Sequence, residues 1–260
     1  MNIALLQLPE LTAPCTPLLE KYFQTCKKQK VQIVAFGEYI FNPFYHKLCA
    51  HKPAAQIAHT SAHTLDILHT LSKAHKLDII APIVLEKENK LYKTIALIQG
   101  SKSRFYYQQR LIAYPHWNEK AFFANPTPKH PKTPLIFKKN NFKIAVIAGF
   151  EVHFDEIWLK LKQSQVDIVI LPCSNTFASK IRWRRLCQMR AFTNSMAILR
   201  INRIGNEHYE KLDWQFYGDS LWIDANGDIE ESLGDKEGML LASLELKHLR
   251  ALQQEWGFRA

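Results

Sequence analysis

Two short segments constrain this chain more than any others. QIVAF, within Val31–Phe36, and IVILP, within Asp167–Pro172, are apolar at nearly every position, so each has to be covered on both faces. Strands of that kind sit inside a largely parallel sheet with helices packed outside it. Similar runs recur from end to end, alternating with longer amphipathic stretches. Strands are predicted at Asn2–Leu8, Val31–Phe36, Leu77–Leu85, Leu91–Gln99, Arg104–Gln109, Phe142–Ala148, Asp167–Pro172, Met196–Asn202, Asp219–Asp224 and Met239–Leu244. Helices are predicted near Thr16–Gln29, Ser61–His75, Phe154–Gln163, Ile181–Ser195 and Leu246–Gln254. That order fits two sheets with helices on their outer faces: an α/β fold in one domain, residues 1–260. At 260 residues and 47% hydrophobic, the chain is long enough to bury such a core.

Between the elements, EKENK after Leu85 reads as a hairpin loop, and Pro115 to Pro134, with five prolines, as one long irregular loop. Loops of that size are often functional. No run reaches the roughly 18 apolar residues of a membrane span. MNIALLQLPEL lacks a basic leader and a cleavage site, and reads as a first strand. Cys15, Cys26, Cys49, Cys173 and Cys187 form no CxxC pair and leave one odd, which suits a reducing cytoplasm. The formal net charge is +10, spread along the whole chain. The densest cluster, Arg182, Arg184 and Arg185, lies opposite an apolar stripe of Trp183, Leu186, Cys187 and Ala191, and is expected on the solvated side of its helix. No nucleic-acid motif accompanies it, so nucleic acid is not the expected partner.

Chemistry concentrates where three strands end. Val31–Phe36 runs into Gly37 and Glu38; RFYYQQRL follows at Arg104; and KIAVIAGFE turns at Gly149 from strand to helix, a corner that can hold up a reactive side chain. In this order the three resemble the carbon–nitrogen hydrolase (nitrilase) superfamily. There a Glu closes the first motif, a Lys sits in Y-x-K-x-H-L, and a Cys occupies I-C-Y-[DE]. The resemblance runs along the chain. IALLQL is similar to the opening strand, NKLYKTIALI to a G-K-L-Y-N-T-A hairpin return, and VDIVILP to the strand after the elbow. Arg190, Ala191, Asn194, Asn202, Arg203 and Gly205 match one downstream stretch; Gly218, Ser220, Asp224 and Gly227 match another.

The resemblance implies a four-layer α-β-β-α sandwich of the nitrilase type, paired as a homodimer through helix faces. It implies a cysteine thiolate attacking an amide or nitrile carbon, with a glutamate base and a lysine stabilising the intermediate. Carried over, Glu38 is the base, the lysine position is Gln108, and the nucleophile position is Gly149, followed by Phe150 and Glu151. Glu119, in HWNEKAFF, matches a second pocket glutamate. The expectation is a cavity lined by Glu38, Gln108, Glu119 and Glu151, with Phe150 and Cys173 beside it, whose cysteine-dependent amidase activity is impaired. Such a pseudoenzyme would keep a role in binding a small amide or acid, or a partner. Two alternatives stay open: an active hydrolase using Cys173 or a Glu38-activated water, and a basic nucleic-acid-binding protein. No cofactor fingerprint is present. His59, His63, His69 and His75 cluster on one helix without the further ligands a zinc site needs, so no metal is expected.

Overall fold

Val31–Phe36 is buried almost throughout because neighbours pair with both its edges and side-chain layers cover both its faces. The computed structural model describes residues 1–11, 16–51, 54–209 and 212–259, with backbone alone at 49–51 and 209. The first half of the chain is β1 (Asn2–Gln7), α1 (Thr16–Lys28), β2 (Val31–Phe36), α2 (Tyr45–His51), α3 (Ala54–His75), β3 (Asp78–Lys87), β4 (Lys90–Gln99), β5 (Lys102–Tyr107), β6 (Ala113–Tyr114), β7 (Trp117–Asn118) and α4 (Glu119–Phe122). The second half is β8 (Leu135–Lys139), β9 (Phe142–Val146), a 3-10 turn (Gly149–His153), α5 (Asp155–Gln163), β10 (Ile168–Cys173), α6 (Lys180–Asn194), β11 (Ala197–Asn202), β12 (Ile204–Tyr209), β13 (Leu212–Tyr217), β14 (Leu221–Ile223), β15 (Ile229–Ser232), β16 (Gly238–Ser243) and α7 (Leu246–Trp256).

Two six-stranded sheets result, ordered β16-β1-β2-β3-β4-β5 and β15-β14-β11-β10-β9-β8. Each has a parallel centre, β1-β2-β3 in one and β9-β10-β11 in the other, and antiparallel edges. Alternation along the strands sorts the side chains into three layers. Ile3, Leu5 and Ile33 meet Ile144, Ile170 and Leu199 between the sheets. Ala4, Leu6, Val34 and Phe36 turn outward onto Leu19 and Phe23 of α1 and Leu68 and Leu71 of α3. Ala145, Val169 and Leu171 pack on Ile157 and Leu161 of α5 and Cys187 and Ala191 of α6. The expected four-layer α-β-β-α sandwich is therefore present, with the parallel strand ends of both sheets meeting at one edge.

Several boundaries differ from expectation. α3 begins at Ala54, seven residues before the expected start, because Ile57 extends its buried face. The Pro115–Pro134 segment is not wholly irregular, since Asn118 caps α4 by accepting a bond from the Ala121 amide at 3.1 Å. β8 and the β12–β13 hairpin were not expected; their half-polar edge strands lack the apolar signature of the central ones. Arg182 and Arg185 are exposed as expected, whereas Arg184 is only partly solvated: it forks onto the fully buried Asp219, which also sits 3.4 Å from Lys180 and from Arg200. Asp167, equally buried, ties α7 down through Arg250 and Gln253. Asp167, Arg250 and Gln253 are among the residues lining a surface depression of about 610 Å³.

His69 is held by the Gly100 carbonyl (2.7 Å) and Ser103 (3.0 Å), and His75 by Glu20 (2.9 Å), while His59 and His63 are exposed. Cys26, Cys173 and Cys187 are free and fully buried; Cys15 and the Cys49 side chain lie outside the described residues. Among the described residues, no helix is long and apolar enough to cross a membrane.

Candidate active site

The site forms where the two sheets touch. A Cβ on Gly37 would meet the Arg203 amide nitrogen at 3.0 Å and the Cys173 carbonyl at 3.2 Å, both backbone atoms, so glycine lets the end of β2 press against β10 and β11 without crowding. The next residue, Glu38, donates its amide to the Cys173 carbonyl at 3.0 Å, and this bond between sheets fixes its carboxyl. Oε2 accepts from Ser174 Oγ at 2.9 Å and lies 3.3 Å from Lys93 Nζ. Lys93 Nζ is 2.7 Å from Glu119 Oε1, which also accepts from the Tyr39 hydroxyl at 2.6 Å, and it lies 4.9 Å from the centre of the Tyr39 ring.

Burial penalises the charges of Glu38 and Lys93. It pushes the Glu38 carboxyl above the usual carboxylate range, against the pull of Lys93. It also works against the Lys93 ammonium, but Glu119 and Glu38 together outweigh it and hold the lysine above its ordinary value. Two carboxylates therefore share one firmly charged ammonium. Glu38 Oε1 and Glu119 Oε2 find no further hydrogen-bond partner among the described residues.

Lys93 was not singled out from the sequence. The resemblance puts the lysine at Gln108, and the structure brings the ammonium in from the adjoining strand. Gln108 lies just past β5, where its amide donates to the Lys93 carbonyl at 3.2 Å across from β4. Its side chain turns away to the Arg110 carbonyl at 2.7 Å and does not reach the cavity. An ammonium thus stands beside Glu38, supplied by Lys93 and not by the position of Gln108. A signal was present, since Lys93 stands where the quoted hairpin motif has an asparagine.

The corner after β9 is built as expected but has a different floor. Gly149 lines the cavity and has an ordinary backbone conformation. A Cβ there would come within 2.9 Å of Cys173 Sγ and 3.0 Å of the Pro172 carbonyl. Phe150 lines the cavity. Glu151 does not: its carboxylate turns inward to accept from the amides of Ala148 (2.9 Å) and Gln109 (2.6 Å) and from the Tyr106 hydroxyl (2.9 Å). Burial raises its pKa to about 7 despite these donors. Glu119 likewise belongs to the layer beneath the cavity, with no exposure of its own.

Cys173 faces the α5–α6 layer beside Cys187, and burial pushes its thiol well above the ordinary cysteine range. It is not a pocket thiol. The following residue points the other way, and Ser174 lines the cavity. The cavity holds about 450 Å³, within the usual range for small-molecule sites. Its walls are aromatic, from Tyr114, His116, Trp117, Phe150, Phe177 and Trp183, with Glu38 at the base and Arg182 among the lining residues. Trp214, from the unforeseen hairpin, packs behind them on Trp117 and Phe177 at 5.4 and 4.9 Å. Among the described residues, no group of three His, Cys, Asp or Glu could hold a metal ion.

The sequence pattern of the carbon–nitrogen hydrolase family matches residues 2–254, and the chain belongs to that family. It is 25% identical over 207 residues to N-carbamoylputrescine amidase of Solanum tuberosum, covering 74% of this chain and 68% of that one. Beta-ureidopropionase of Arabidopsis thaliana is 26% identical over 212 residues, 74% of this chain and 51% of that protein. Citrullinase of Francisella tularensis is 24% identical over 196 residues, 71% and 67% of the two chains. Among solved structures, a carbon–nitrogen hydrolase from Helicobacter pylori G27 superposes with a TM-score of 0.84 at 18% identity, covering 99% of this chain and 94% of that one. An amidase from Nesterenkonia sp. gives 0.80 at 19% identity, with 98% and 96% covered. At these identities the superpositions establish the fold.

Proposed function

We propose that the chain binds a small uncharged carboxamide or ureide in the cavity above Glu38, and that the cysteine-thioester route of amide hydrolysis is closed to it. One observation carries this reading. The Glu38–Lys93–Glu119 cluster stands intact under the cavity, while Gly149 leaves the floor without a thiol and Cys173 faces the helices. The ligand class follows from the walls and base. Flat aromatic faces suit a planar amide, and a buried carboxylate suits its N–H donors. The carbamoyl and ureido groups named in the relatives' activities agree with that class. Impairment relative to a thiol enzyme is part of the proposal, since members of a catalytic unit act together and removing one costs orders of magnitude. Pairing of two chains through their helix faces belongs to it as well.

A second reading, hydrolysis by a substitute nucleophile, gains support from the retained base and ammonium. Of the two sequence-level candidates, Cys173 fits poorly because its thiol is buried away from the cavity, and a Glu38-activated water fits better. The test combines calorimetric titration with amides, ureas and carbamoyl compounds and an ammonia-release assay on the same panel, with Glu38→Ala as control. Binding that Glu38→Ala weakens, with little or no ammonia, supports the proposal. Release at rates typical of thiol amidases overturns it, and absence of binding across the panel ends the ligand assignment.

A further inference from the structure

We propose that Ser174 is an acyl-accepting nucleophile of this cavity, with Glu38 as its base. The proposal rests on the reading that the cavity admits a carbonyl ligand. Four described side chains lining the cavity carry a hydroxyl: Tyr114, Ser174, Thr176 and Ser179. Thr176 donates to the Gln215 carbonyl at 2.7 Å and Ser179 to the Thr176 carbonyl at 2.6 Å, so both protons are spent on backbone. Tyr114 is about half exposed at the rim. Ser174 alone of the four donates to a carboxylate, Glu38 Oε2, at 2.9 Å.

The backbone around Ser174 is fixed on both sides. The Cys173 carbonyl accepts the Glu38 amide at 3.0 Å, and the Asn175 amide donates to Asn202 Oδ1 at 2.6 Å. Such clamps hold a nucleophile and its base in register without rearrangement. Lys93, 3.3 Å from the same Oε2, secures the carboxylate from beneath. The arrangement meets the general requirement for an activated nucleophile: hydroxyl to base, and base to an orienting group.

The step balances with water as the one further reactant. As Ser174 Oγ bonds to the carbonyl carbon, its proton passes to Glu38; when the C–N bond breaks, Glu38 returns that proton to the leaving amine. Water then attacks the serine ester, giving its proton first to Glu38, and Glu38 passes it to Ser174 Oγ as the acid departs. A serine hydroxyl gives up its proton less readily than a thiol, so this route is slow and favours activated acyl donors.

The experiment uses the full chain with p-nitrophenyl acetate as the acyl probe, following p-nitrophenolate release and locating the acetyl group by peptide mass spectrometry. Expected is one acetyl per chain on Ser174, removable by hydroxylamine as an ester is. It should be absent in Ser174→Ala and form roughly 10²–10⁴-fold more slowly in Glu38→Gln, the usual span for losing a general base. Acetylation confined to lysines, or an unchanged burst in Ser174→Ala, overturns the assignment. Calorimetry on the unmodified protein separates the two claims. Ureide binding without Ser174 acetylation sinks the nucleophile and leaves the ligand reading standing. Acetylation of Ser174 with no amide or ureide bound supports the nucleophile and sinks the ligand class.

Discussion

A single methyl group at Gly149 tests the floor of the cavity. The backbone there is not in the left-handed region, so alanine faces no conformational strain. Glycine to alanine at such a position ordinarily stabilises by about 0.4–1 kcal/mol. Here the new Cβ would stand 2.9 Å from Cys173 Sγ, 3.0 Å from the Pro172 carbonyl and 3.2 Å from Cys173 Cα. Nonpolar heavy atoms prefer about 3.5–4.0 Å. The sign should therefore reverse, with Gly149→Ala costing about 1–3 kcal/mol, the usual range for overpacking a core.

Cys173→Ala removes the nearest of these atoms and alone should cost about 1 kcal/mol, as one buried methylene-sized group does. In the double variant each change relieves the other, and the coupling should reach about 1–2 kcal/mol. The Pro172 carbonyl and Cys173 Cα remain in place, so full stability should not return. Urea unfolding of the four proteins, read by tryptophan fluorescence, gives the cycle. A stabilising Gly149→Ala, or strictly additive changes, would refute the argument that glycine and cysteine are fitted to each other. The same geometry governs restoration of a thiol. Gly149→Cys should fold well only beside Cys173→Ala, and no added lysine at Gln108 should be needed, because Lys93 already stands beside Glu38.

Lys93→Met should leave two carboxylates buried without their cation and cost about 3–5 kcal/mol in a denaturant titration; adding Glu119→Gln should recover part of the loss, and no recovery would contradict the shared-charge description. Asp219→Asn should cost a similar amount by thermal or urea unfolding, about 3–5 kcal/mol, since Lys180, Arg184 and Arg200 all converge on that carboxylate. Glu151 gives a pH test. Its pKa is raised to about 7 in the folded chain from an ordinary 4.5, so the folded state holds the proton more tightly. Its contribution is then favourable at low pH and is lost as pH rises through that window. Comparing the melting of Glu151→Gln with the parent across that range should show the parent losing ground toward neutral pH; a difference independent of pH would mean that the carboxyl binds its proton equally well folded and unfolded.

The layers of this fold were legible because their signals are local. The doubly apolar runs at Val31–Phe36 and Asp167–Pro172 could only be central strands, and amphipathic stretches such as Asp155–Gln163 could only be outer helices. The edges were harder to read. β8 and the β12–β13 hairpin are half exposed, so tertiary pairing makes them strands more than composition does. At the site, Glu38 was found because it closes a short family motif that is continuous with its strand; position after a strand alone would not have singled it out. Lys93 was missed because its place beside Glu38 depends on the registers of β2 against β3 and of β3 against β4, where Lys93 pairs with Val84, and no local pattern reports those. Cys173 and Ser174 illustrate the same limit. Adjacent residues at a strand end look to opposite faces, and the sequence alone did not say which of the two met the cavity.

The three thiols buried among the described residues offer a way to time the two halves of the sandwich separately. Cys26 is on the inner face of α1 against the first sheet, Cys187 is on the inner face of α6 against the second, and Cys173 is on β10 beneath that helix layer. None can meet a solution reagent until its own layer lifts, so the rate of modification at each measures the free energy of that local opening. The sheets share one core between them, which favours a single cooperative release. Equal rates at Cys26 and Cys187 would show the sandwich opening as one body. Faster modification at Cys187 would mean that the wall carrying Trp183 and Leu186 detaches by itself, and that the cavity breathes while the other half stays closed.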